Sequence, residues 1–286
     1  MGTLKPSHLF FVGLLISAFA LSSRFFAHQK VVATITDDRL LEASGLEESY
    51  VNPGYFWTHN DSGSDPTLYL INLSGEIQME VELKGLKNRD WEEIITVKKD
   101  GKSFIYVAEI GDNRAIYNHV SLICLEEPVF LGKQKLAIEK SAVKVMNFQY
   151  AEGARDAEAM LFDRHLEEFV LITKREKKAL VYSFPFEPNE VPVTIKSKGT
   201  IPSRNFTAAD MNDNGEILLK NYDSIFYWNS SVQAAADQIL AWKPIAIDYT
   251  PEPQGEAICW YQGDFYTISE KNKGKPQEML LFQRLK

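Results

Sequence analysis

RDWEEI, residues 89–94, introduces a predicted β-strand with three carboxylates, and an apolar run follows it. A strand that enters a core does not ordinarily begin with acidic side chains, because carboxylates are almost never buried without a partner. The pattern recurs at RDAEAM (155–160) and QGEAIC (254–259), with weaker copies at LEASGL (41–46) and FTAADM (206–211). The chain therefore contains five repeats that share one unusual strand start.

Aligning the five strand starts on the apolar residue that follows identifies one shared position. That position is occupied by Ser44, Glu92, Glu158, Ala209 and Glu256. Neighbouring repeats lie 47 to 66 residues apart, and periods near this length are typical of β-propellers, in which each repeat forms one blade. A two-sheet sandwich is the alternative, because short strands at regular spacing fit both folds.

Each strand start is followed by two further runs that are rich in aromatic and β-branched residues, with Gly, Asn and Asp between them. A fourth run completes most repeats: IQMEVEL (77–83), AVKVMNFQY (142–150), VTIKSKGTI (193–201) and KPIAIDY (243–249). The last repeat lacks one, and we expect residues 30–36 to supply it. The predicted fold is all-β, a five-bladed β-propeller with four-stranded blades, whose N-terminal strand 30–36 closes the last blade. Residues 28–286 form this single domain, with a short helical insertion at 230–242.

Residues 1–27 are predicted to be a signal peptide or an N-terminal hydrophobic segment. Lys5 precedes an apolar run from Leu9 to Leu21, and Ala18-Phe19-Ala20 has the small-x-small pattern of a cleavage site. The run is short for a membrane span. We expect an exported protein, periplasmic or extracellular, that contacts the membrane only if this segment is retained.

The charge and the cysteine count restrict partners and covalent links. A net charge of −8 over 286 residues disfavours nucleic acid, because there is no excess of cations to replace the counterions of phosphates. Cys124 and Cys259 could pair in an exported protein. They fall in non-neighbouring repeats, however, so we predict two buried free thiols.

The first strand of each propeller blade lines the central channel, so the shared position predicts a ring of side chains. Glu92, Glu158 and Glu256 would face one another there, with Ser44 and Ala209 completing the circle. Carboxylates this close repel and either bind protons or hold a cation. Oxygen ligands favour Ca²⁺ over Mg²⁺ in such a site. The alternative is a channel filled by water and by hydrogen bonds to backbone amides of neighbouring blades.

A second acidic layer is expected nearer the mouth of the channel, at Glu42, Asp90 and Asp156, two residues before the shared position. Glu93 is predicted to point outward, because neighbouring residues of a strand face opposite sides.

The ends of the second strands carry polar residues that we expect to border one end of the channel. The predicted substrate-binding residues are Asn60, Asp61, Asp112, Asn113, Lys174, Lys220, Tyr222, Glu270 and Lys271. The lysines beside a cation would suit a small anionic ligand, and solvated loop charges are the alternative. His59 could act as a base or be structural.

The motifs EASGL, WTHNDSG, DWEEI, EIGDN, AEAM, TAAD and QGEAI resemble, in sequence and order, those of a group of uncharacterised exported bacterial proteins predicted to be β-propellers. The resemblance covers nearly the whole chain after the N-terminal segment. It implies the propeller fold and no particular activity.

A more distant resemblance is to the calcium-activated nucleotidases (apyrases), which are five-bladed propellers. It implies a channel Ca²⁺ held by serines and glutamates on the first strands, which match Ser44, Glu92, Glu158 and Glu256 here. The remaining family serine falls at Ala209 or, with a slip, at Thr207. The long nucleotide-binding loops of that family have no counterpart in this sequence.

Two functions follow as hypotheses. One is a Ca²⁺-dependent hydrolase of small anionic or phosphate esters, with Glu92 or Asp90 as the catalytic base. The other is a non-catalytic propeller that binds a ligand or a cell-surface partner and holds a structural cation.

Overall fold

A computed structural model describes residues 25–229 and 232–285. Apart from one α-helix, α1 (Ala235–Ala241), and one 3-10 turn (Lys140–Ala142), the regular structure of these residues is β-strand. The strands form five separate sheets, and in each sheet three strands that follow one another in the chain lie side by side, starting from the channel. The predicted all-β, five-bladed propeller is confirmed.

The five blades are described from the channel outward. Blade 1 contains β2 (Ala43–Glu48), β3 (Tyr55–Asn60), β4 (Thr67–Asn72), β5 (Ile77–Lys84) and β9 (Gln134–Glu139). Blade 2 contains β6 (Trp91–Lys99), β7 (Lys102–Glu109), β8 (Val120–Glu126), β10 (Lys144–Tyr150) and β14 (Val193–Ile195). Blade 3 contains β11 (Ala157–Asp163), β12 (Glu168–Thr173), β13 (Ala179–Phe184) and β15 (Gly199–Ile201). Blade 4 contains β16 (Phe206–Met211), β17 (Ile217–Asn221), β18 (Ile225–Trp228) and β19 (Ile245–Ala246). Blade 5 contains β20 (Gly255–Tyr261), β21 (Asp264–Ser269), β22 (Gln277–Phe282) and β1 (Lys30–Ile35).

The N-terminal strand closes the ring as predicted. β1 pairs antiparallel with β22, from Lys30 opposite Leu281 to Ile35 opposite Gln277. The closure continues upstream, since Phe26 forms a bridge with Arg284. Phe26 is buried between blades 4 and 5, so packing of the propeller begins before residue 28. Of the predicted N-terminal segment, residues 1–24 lie outside the described residues.

Blades 1 and 2 each carry a fifth strand at the outer edge, beyond the four that we predicted. The run 193–201 was expected to form one strand of blade 3, but it divides in two. β14 pairs in parallel with β10 of blade 2, and β15 pairs antiparallel with β13 of blade 3. β9 likewise leaves repeat two and pairs in parallel with β5 of blade 1. Both added strands cover sheet edges that would otherwise expose unpaired backbone groups.

The hydrophobic core consists of five clusters, one at each boundary between adjacent blades. Cys124 is buried between blades 2 and 3, and Cys259 between blades 5 and 1. Both thiols are free, as predicted. α1 lies within the predicted insertion and packs between blades 3 and 4. Among the described residues, no helix is both long and apolar enough to span a bilayer.

Phe26→Ala tests whether the segment before β1 is part of the folded domain. Phe26 is 2% exposed and its ring contacts Phe265 and Tyr227 at centroid distances of 4.9 and 5.4 Å. Removing the ring leaves a cavity, so urea unfolding should show a loss of about 3–5 kcal/mol. Val31→Ala, at a side chain that is 47% exposed, is the control and should cost less than about 1 kcal/mol. A Phe26→Ala protein as stable as the control would place the domain boundary after this residue.

Candidate functional site

Every first strand contains an irregularity in its pairing at the position where the repeats align or within two residues of it. The pairing with the second strand shifts between Ser44 and Leu46, Trp91 and Glu93, Ala157 and Ala159, Phe206 and Ala208, and Gly255 and Ala257. Such bulges add an unpaired residue and redirect its side chain. Glu92, Glu158 and Glu256 are the extra residues of their strands, which explains why they leave the alternation of the blade and turn to the channel.

The bulges also correct the alignment of blades 1 and 4, where the extra residues are Gly45 and Thr207 and not Ser44 and Ala209. The Thr207 hydroxyl donates to the Gly255 carbonyl at 3.0 Å. Ser44 does the same in blade 1, since its hydroxyl donates to the Glu92 carbonyl at 3.1 Å. Both hydroxyls therefore tie their strand to the first strand of the next blade, and Ala209 lies two residues deeper.

Five carboxylates from blades 1, 2 and 3 converge at the end of the channel where the first strands begin. We call them the mouth cluster: Asp61, Asp90, Glu92, Asp156 and Glu158. Asp61, Asp90 and Glu92 offer oxygens within 4.8 Å of one another, and so do Glu92, Asp156 and Glu158. Glu92 belongs to both groups. The predicted ligands Glu92 and Glu158 thus come together, but their companions are the three aspartates rather than Ser44 and Glu256.

Asp90, Glu92 and Glu158 are buried, and burial together with repulsion from neighbouring carboxylates raises the pKa of these three carboxyl groups. Burial is the larger cause for Glu92, with Glu158 next, and burial also leads for Glu158. For Asp90, burial and then the neighbouring Asp61 raise the pKa to about 7. Within the described part of the chain, Asp90 Oδ1 is buried without a hydrogen-bond partner. The cluster therefore favours either protons or a cation at neutral pH.

Asp156 is the best satisfied member of the mouth cluster. Its Oδ1 accepts the backbone N–H of Asp112 at 2.9 Å, and its Oδ2 accepts the Arg175 guanidinium at 2.5 Å. Arg175 also donates to Asn113 and remains half exposed. Arg175 is thus the accessible cation beside the cluster.

Gly111, from the EIGDN motif, gives the carboxylates of blade 2 their space. A Cβ at this residue would lie 2.2 Å from Glu92 Oε1 and 2.5 Å from Asp90 Cγ. Its φ angle is not in the left-handed region, so the requirement for glycine here is one of space alone. Its N–H bonds the Asp90 carbonyl at 3.3 Å, which fixes the segment against the first strand.

Lys174 lies inside the channel rather than at its border. Its ammonium forms an ion pair with Glu158 and donates to the Tyr222 hydroxyl at 2.9 Å. Tyr222 in turn donates to Glu256 Oε1 at 2.7 Å. Burial alone would lower the pKa of Lys174, but Glu158 and Glu256 outweigh it and the pKa is raised. A fixed cation therefore stands beside the mouth cluster and joins it to Glu256.

Lys220 does not lie at the border of the channel either, because its side chain is fully buried between blades 4 and 5. Its ammonium donates to the Gly255 carbonyl at 2.5 Å and lies 3.9 Å from Glu252 Oε2. Burial lowers its pKa. The missing side chain of Gly255 makes the room, since a Cβ there would be 2.4 Å from Lys220 Nζ.

Two predicted substrate-binding residues are used by the local backbone. Asn60 accepts the Glu42 N–H at 3.1 Å and donates to the Arg39 carbonyl at 2.7 Å. Asp112 accepts the N–H groups of Ile116 and Tyr117 at 3.0 and 2.8 Å. Both side chains shape loops at the mouth, and their polar atoms are occupied by that task.

The last two predicted substrate-binding residues belong to blade 5. The backbone N–H of Glu270 bonds the Gln254 carbonyl at 2.9 Å, and burial followed by Glu256 raises its pKa to about 7. Lys271 is exposed and pairs with Asp38 at 2.8 Å. These residues stand on the side of the mouth opposite blades 2 and 3.

His59 and Glu93 lie deeper than the mouth cluster. His59 is buried, and burial lowers its pKa to about 4. Glu93 does not point outward as we predicted, because the bulge directs Glu92 and Glu93 to the same side. Its Oε2 accepts the N–H of Ala209, across the channel in blade 4, at 3.2 Å. Glu93 therefore links blades 2 and 4 in the middle of the channel.

A second acidic group, the far-end cluster, lies at the other end of the channel: Glu47, Glu48 and Asp210, beside Arg164 and Tyr50. Asp210 Oδ2 accepts the N–H of Trp260 in the next blade at 2.7 Å. Glu47 Oε1 accepts the Thr96 hydroxyl, again from the next blade, at 3.0 Å. These carboxylates serve as links between blades, which is the alternative that we considered for the whole channel.

The sequence patterns indicated no role for the parts of the site that are not carboxylates on first strands. Gly111 stood within a motif of the resemblance but was given no role, and Arg175 was not among the predicted substrate-binding residues. Asp61 was predicted to bind substrate and not to join the channel carboxylates, because it follows a second strand. The signal available in the sequence was the short polar segment directly after each second strand.

Gly111→Ala should destabilise the protein by about 1–3 kcal/mol, because the new methyl group overlaps the carboxylates of Asp90 and Glu92. Urea unfolding measures the loss. In a background of Glu92→Ala, which removes the nearest oxygen, the same substitution should cost less, and the double-mutant cycle reports the difference. An equal cost in both backgrounds would mean that the glycine serves another purpose.

Glu48→Gln tests the electrostatics of the far-end cluster. Burial and then Asp210 raise the pKa of Glu48 from 4.5 to about 7. A carboxyl group that binds its proton more tightly when folded stabilises at low pH, and this contribution is lost as pH rises from about 4.5 through 7. The free energy of unfolding of the variant should therefore match the parent's at pH 5 and exceed it by about 1 kcal/mol at pH 8. The gain is modest because partial exposure screens the charge. Urea unfolding at both pH values, with exposed Glu82→Gln as control, checks this; an equal effect at both would contradict it.

Comparison with known proteins gives structural neighbours only. No protein-family model matches the chain, and no curated protein matches it significantly. A proposed gluconolactonase is 9% identical, with a TM-score of 0.48, and the match covers 90% of this chain and 92% of that one. A proposed glucose dehydrogenase from Thermus thermophilus is 7% identical, with a TM-score of 0.46, covering 90% and 99%. Glutaminyl cyclase from Myxococcus xanthus is 9% identical, with a TM-score of 0.45, covering 92% and 99%. The function of this chain is therefore argued from its own channel.

Proposed function

We propose that this protein is an exported propeller that binds a divalent cation, Ca²⁺ in preference to Mg²⁺, in the mouth cluster and hydrolyses small anionic or phosphate esters there. The observation that carries the proposal is the convergence of two carboxylate groups that share Glu92. Like charges at this distance and depth need a counter-charge, and Lys174 reaches only Glu158 among them.

The donor set fits a hard cation. All five side chains of the mouth cluster offer carboxylate oxygen, the ligand that Ca²⁺ and Mg²⁺ prefer. Asp61, Asp90 and Glu92 are the most available members, because Asp90 Oδ1 has no hydrogen-bond partner among the described residues, whereas Glu158 is engaged by Lys174 and Asp156 by Arg175. We therefore assign the cation to the blade 1 and blade 2 side of the cluster, at Asp61, Asp90 and Glu92.

A bound divalent cation would polarise an ester oxygen and favour the ionised form of a water molecule. The chain itself supplies the remaining roles. One carboxylate oxygen of Asp90 would hold the cation, and the other can accept a proton as the general base. Glu92 belongs to both carboxylate groups and fixes their position relative to each other. The exposed guanidinium of Arg175 can donate its free N–H groups to an anionic substrate.

A non-catalytic propeller is the second candidate, and the ion pair of Lys174 with Glu158 favours it. An internal ammonium and bound protons can neutralise much of the mouth cluster, so the ring is compatible with a purely structural role. In that case a cation or ligand would bind and stabilise the fold without turnover. Hydrolysis and stabilisation must therefore be measured on the same protein.

Cation removal gives the decisive prediction. The parent should unfold at a higher temperature in millimolar Ca²⁺ than in chelator, because a ligand of the folded state alone stabilises by mass action. Glu92→Gln should abolish this gain and also stabilise the chelated protein, since one buried charge disappears. Glu139→Gln, at an exposed carboxylate, should behave like the parent.

The same proteins distinguish the two functions. Hydrolysis of p-nitrophenyl phosphate or of a carboxylate-bearing ester by the parent, lost in chelator and reduced at least about tenfold in Asp90→Asn, supports the hydrolase. Calcium stabilisation without turnover on such a panel supports the binding propeller. If the unfolding temperature of the parent is the same with and without Ca²⁺, the proposed cation site is wrong.

A further inference from the structure

A cavity of about 660 Å³ lies outside the channel, between blades 2 and 3, where the proposed hydrolase uses no residue. Its volume is in the range of sites that hold small organic molecules. Its apolar lining consists of aliphatic, aromatic and proline side chains from both blades and from the segment that follows β13: Val97, Phe104, Tyr106, Phe162, Leu166, Phe169, Pro185, Phe186 and Pro188. Cys124 and charged residues complete it.

The strand exchange between the two blades builds this cavity. After β13 the chain leaves blade 3 and crosses to blade 2, where β14 joins the edge of the sheet. The crossing segment is fastened to β10, since Asn189 N donates to the Val145 carbonyl and Asn147 N donates to Asn189 Oδ1, both at 3.1 Å. Phe186 in this segment packs against Tyr106 with centroids 5.0 Å apart. The wall of the cavity is thus held on both sides rather than formed by a free loop.

Aromatic rings line the cavity in a continuous row. Phe162 contacts Phe169 at a centroid distance of 5.0 Å, Phe169 contacts Tyr106 at 4.9 Å, and Tyr106 contacts Phe186. Phe162 and Phe186 are only partly buried, so their free edges and faces border the open volume. Surfaces of this kind pack well against another aromatic ring.

The charged residues of the cavity include three lysines and two carboxylates in a protein whose net charge is −8. Lys99 pairs with Glu167 at 2.9 Å, and Lys102 pairs with Glu126 at 2.7 Å. Lys144 is exposed and forms no ion pair with any described residue. A free ammonium at the entrance of an aromatic cavity favours a ligand that carries one negative charge.

The register of blade 2 connects this ammonium to the cavity floor. Lys144 in β10 lies directly opposite Cys124 in β8, which lies directly opposite Tyr106 in β7. Directly opposite residues of neighbouring strands point to the same face of a sheet. Lys144, Cys124 and Tyr106 therefore form one row that leads from the exposed edge of the blade to the aromatic floor.

We propose that the cavity between blades 2 and 3 is a binding site for a small aromatic acid. The aromatic ring of the ligand packs among Phe104, Phe162 and Phe186, which line the cavity and are only partly buried, and its acid group pairs with Lys144. This site is separate from the channel, so it holds whether or not the channel is catalytic.

Two fluorescent probes test the charge and the ring separately. 8-Anilinonaphthalene-1-sulfonate is an aromatic anion, and N-phenyl-1-naphthylamine is its uncharged counterpart. Both should bind the parent, the anion more tightly. Lys144→Glu should lower the affinity for the anion at least about tenfold, the size expected when a charged contact is lost. The affinity for the uncharged probe should stay within about twofold of the parent's. Lys275→Glu, an exposed lysine in blade 5, makes the same charge change elsewhere and should have no effect.

The thiol on the cavity floor gives a second measurement that locates the probe. Iodoacetamide should alkylate Cys124 slowly in the native protein, because Cys124 borders the cavity whereas Cys259 is fully buried. Saturating anionic probe should slow this alkylation in the parent and not in Lys144→Glu, with Cys124→Ala as the unlabelled control. Failure of the anion to bind, equal binding by parent and Lys144→Glu, or unprotected Cys124 would each overturn the proposal.

Discussion

Like charges buried at one end of the channel are the constraint on which the arrangement of the site depends. Asp61, Asp90 and Glu92 come from two blades, and Asp156 and Glu158 from a third, so their proximity exists only when these three blades pack against one another. Burial raises the pKa of Glu92 and Glu158 because ionisation without a counter-charge is costly there. The fold must therefore supply enough cohesion elsewhere to hold these groups together.

The two ends of the channel meet the same constraint in different ways. At the far end, Glu47 and Asp210 receive hydrogen bonds from the backbone or hydroxyl groups of the next blade. These hydrogen bonds join neighbouring blades. At the mouth, Asp90 Oδ1 finds no such donor among the described residues, and Gly111 leaves room for the Asp90 and Glu92 carboxylates themselves. The difference in hydrogen bonding, more than the number of acids, distinguishes a candidate binding site from a structural one.

Most of the fold could be predicted from the sequence, because blade strands repeat locally and their starts share one pattern. The ring position was correct for Glu92, Glu158 and Glu256, whose repeats have similar residues. It failed for Ser44 and Ala209, and it failed for the orientation of Glu93, because a bulge shifts the alternation of a strand by one residue and amino-acid composition does not reveal where the bulge lies. Lys220 was misplaced for a different reason, since only the packed structure reveals that Gly255 leaves room for a buried ammonium.

The exchanged strands could not be predicted, because the pairing of β9 with blade 1 and of β14 with blade 2 joins residues that are far apart in sequence. Their positions are informative. They connect blade 2 to blades 1 and 3, the three blades that supply the mouth cluster, whereas the described residues of blades 4 and 5 exchange no outer strand and contribute no member to it. Each exchange adds backbone hydrogen bonds that a separation of the blades would break. The cohesion that repulsion at the mouth requires is thus supplied at the outer edges of the same blades, and the cavity between blades 2 and 3 is a consequence of that link.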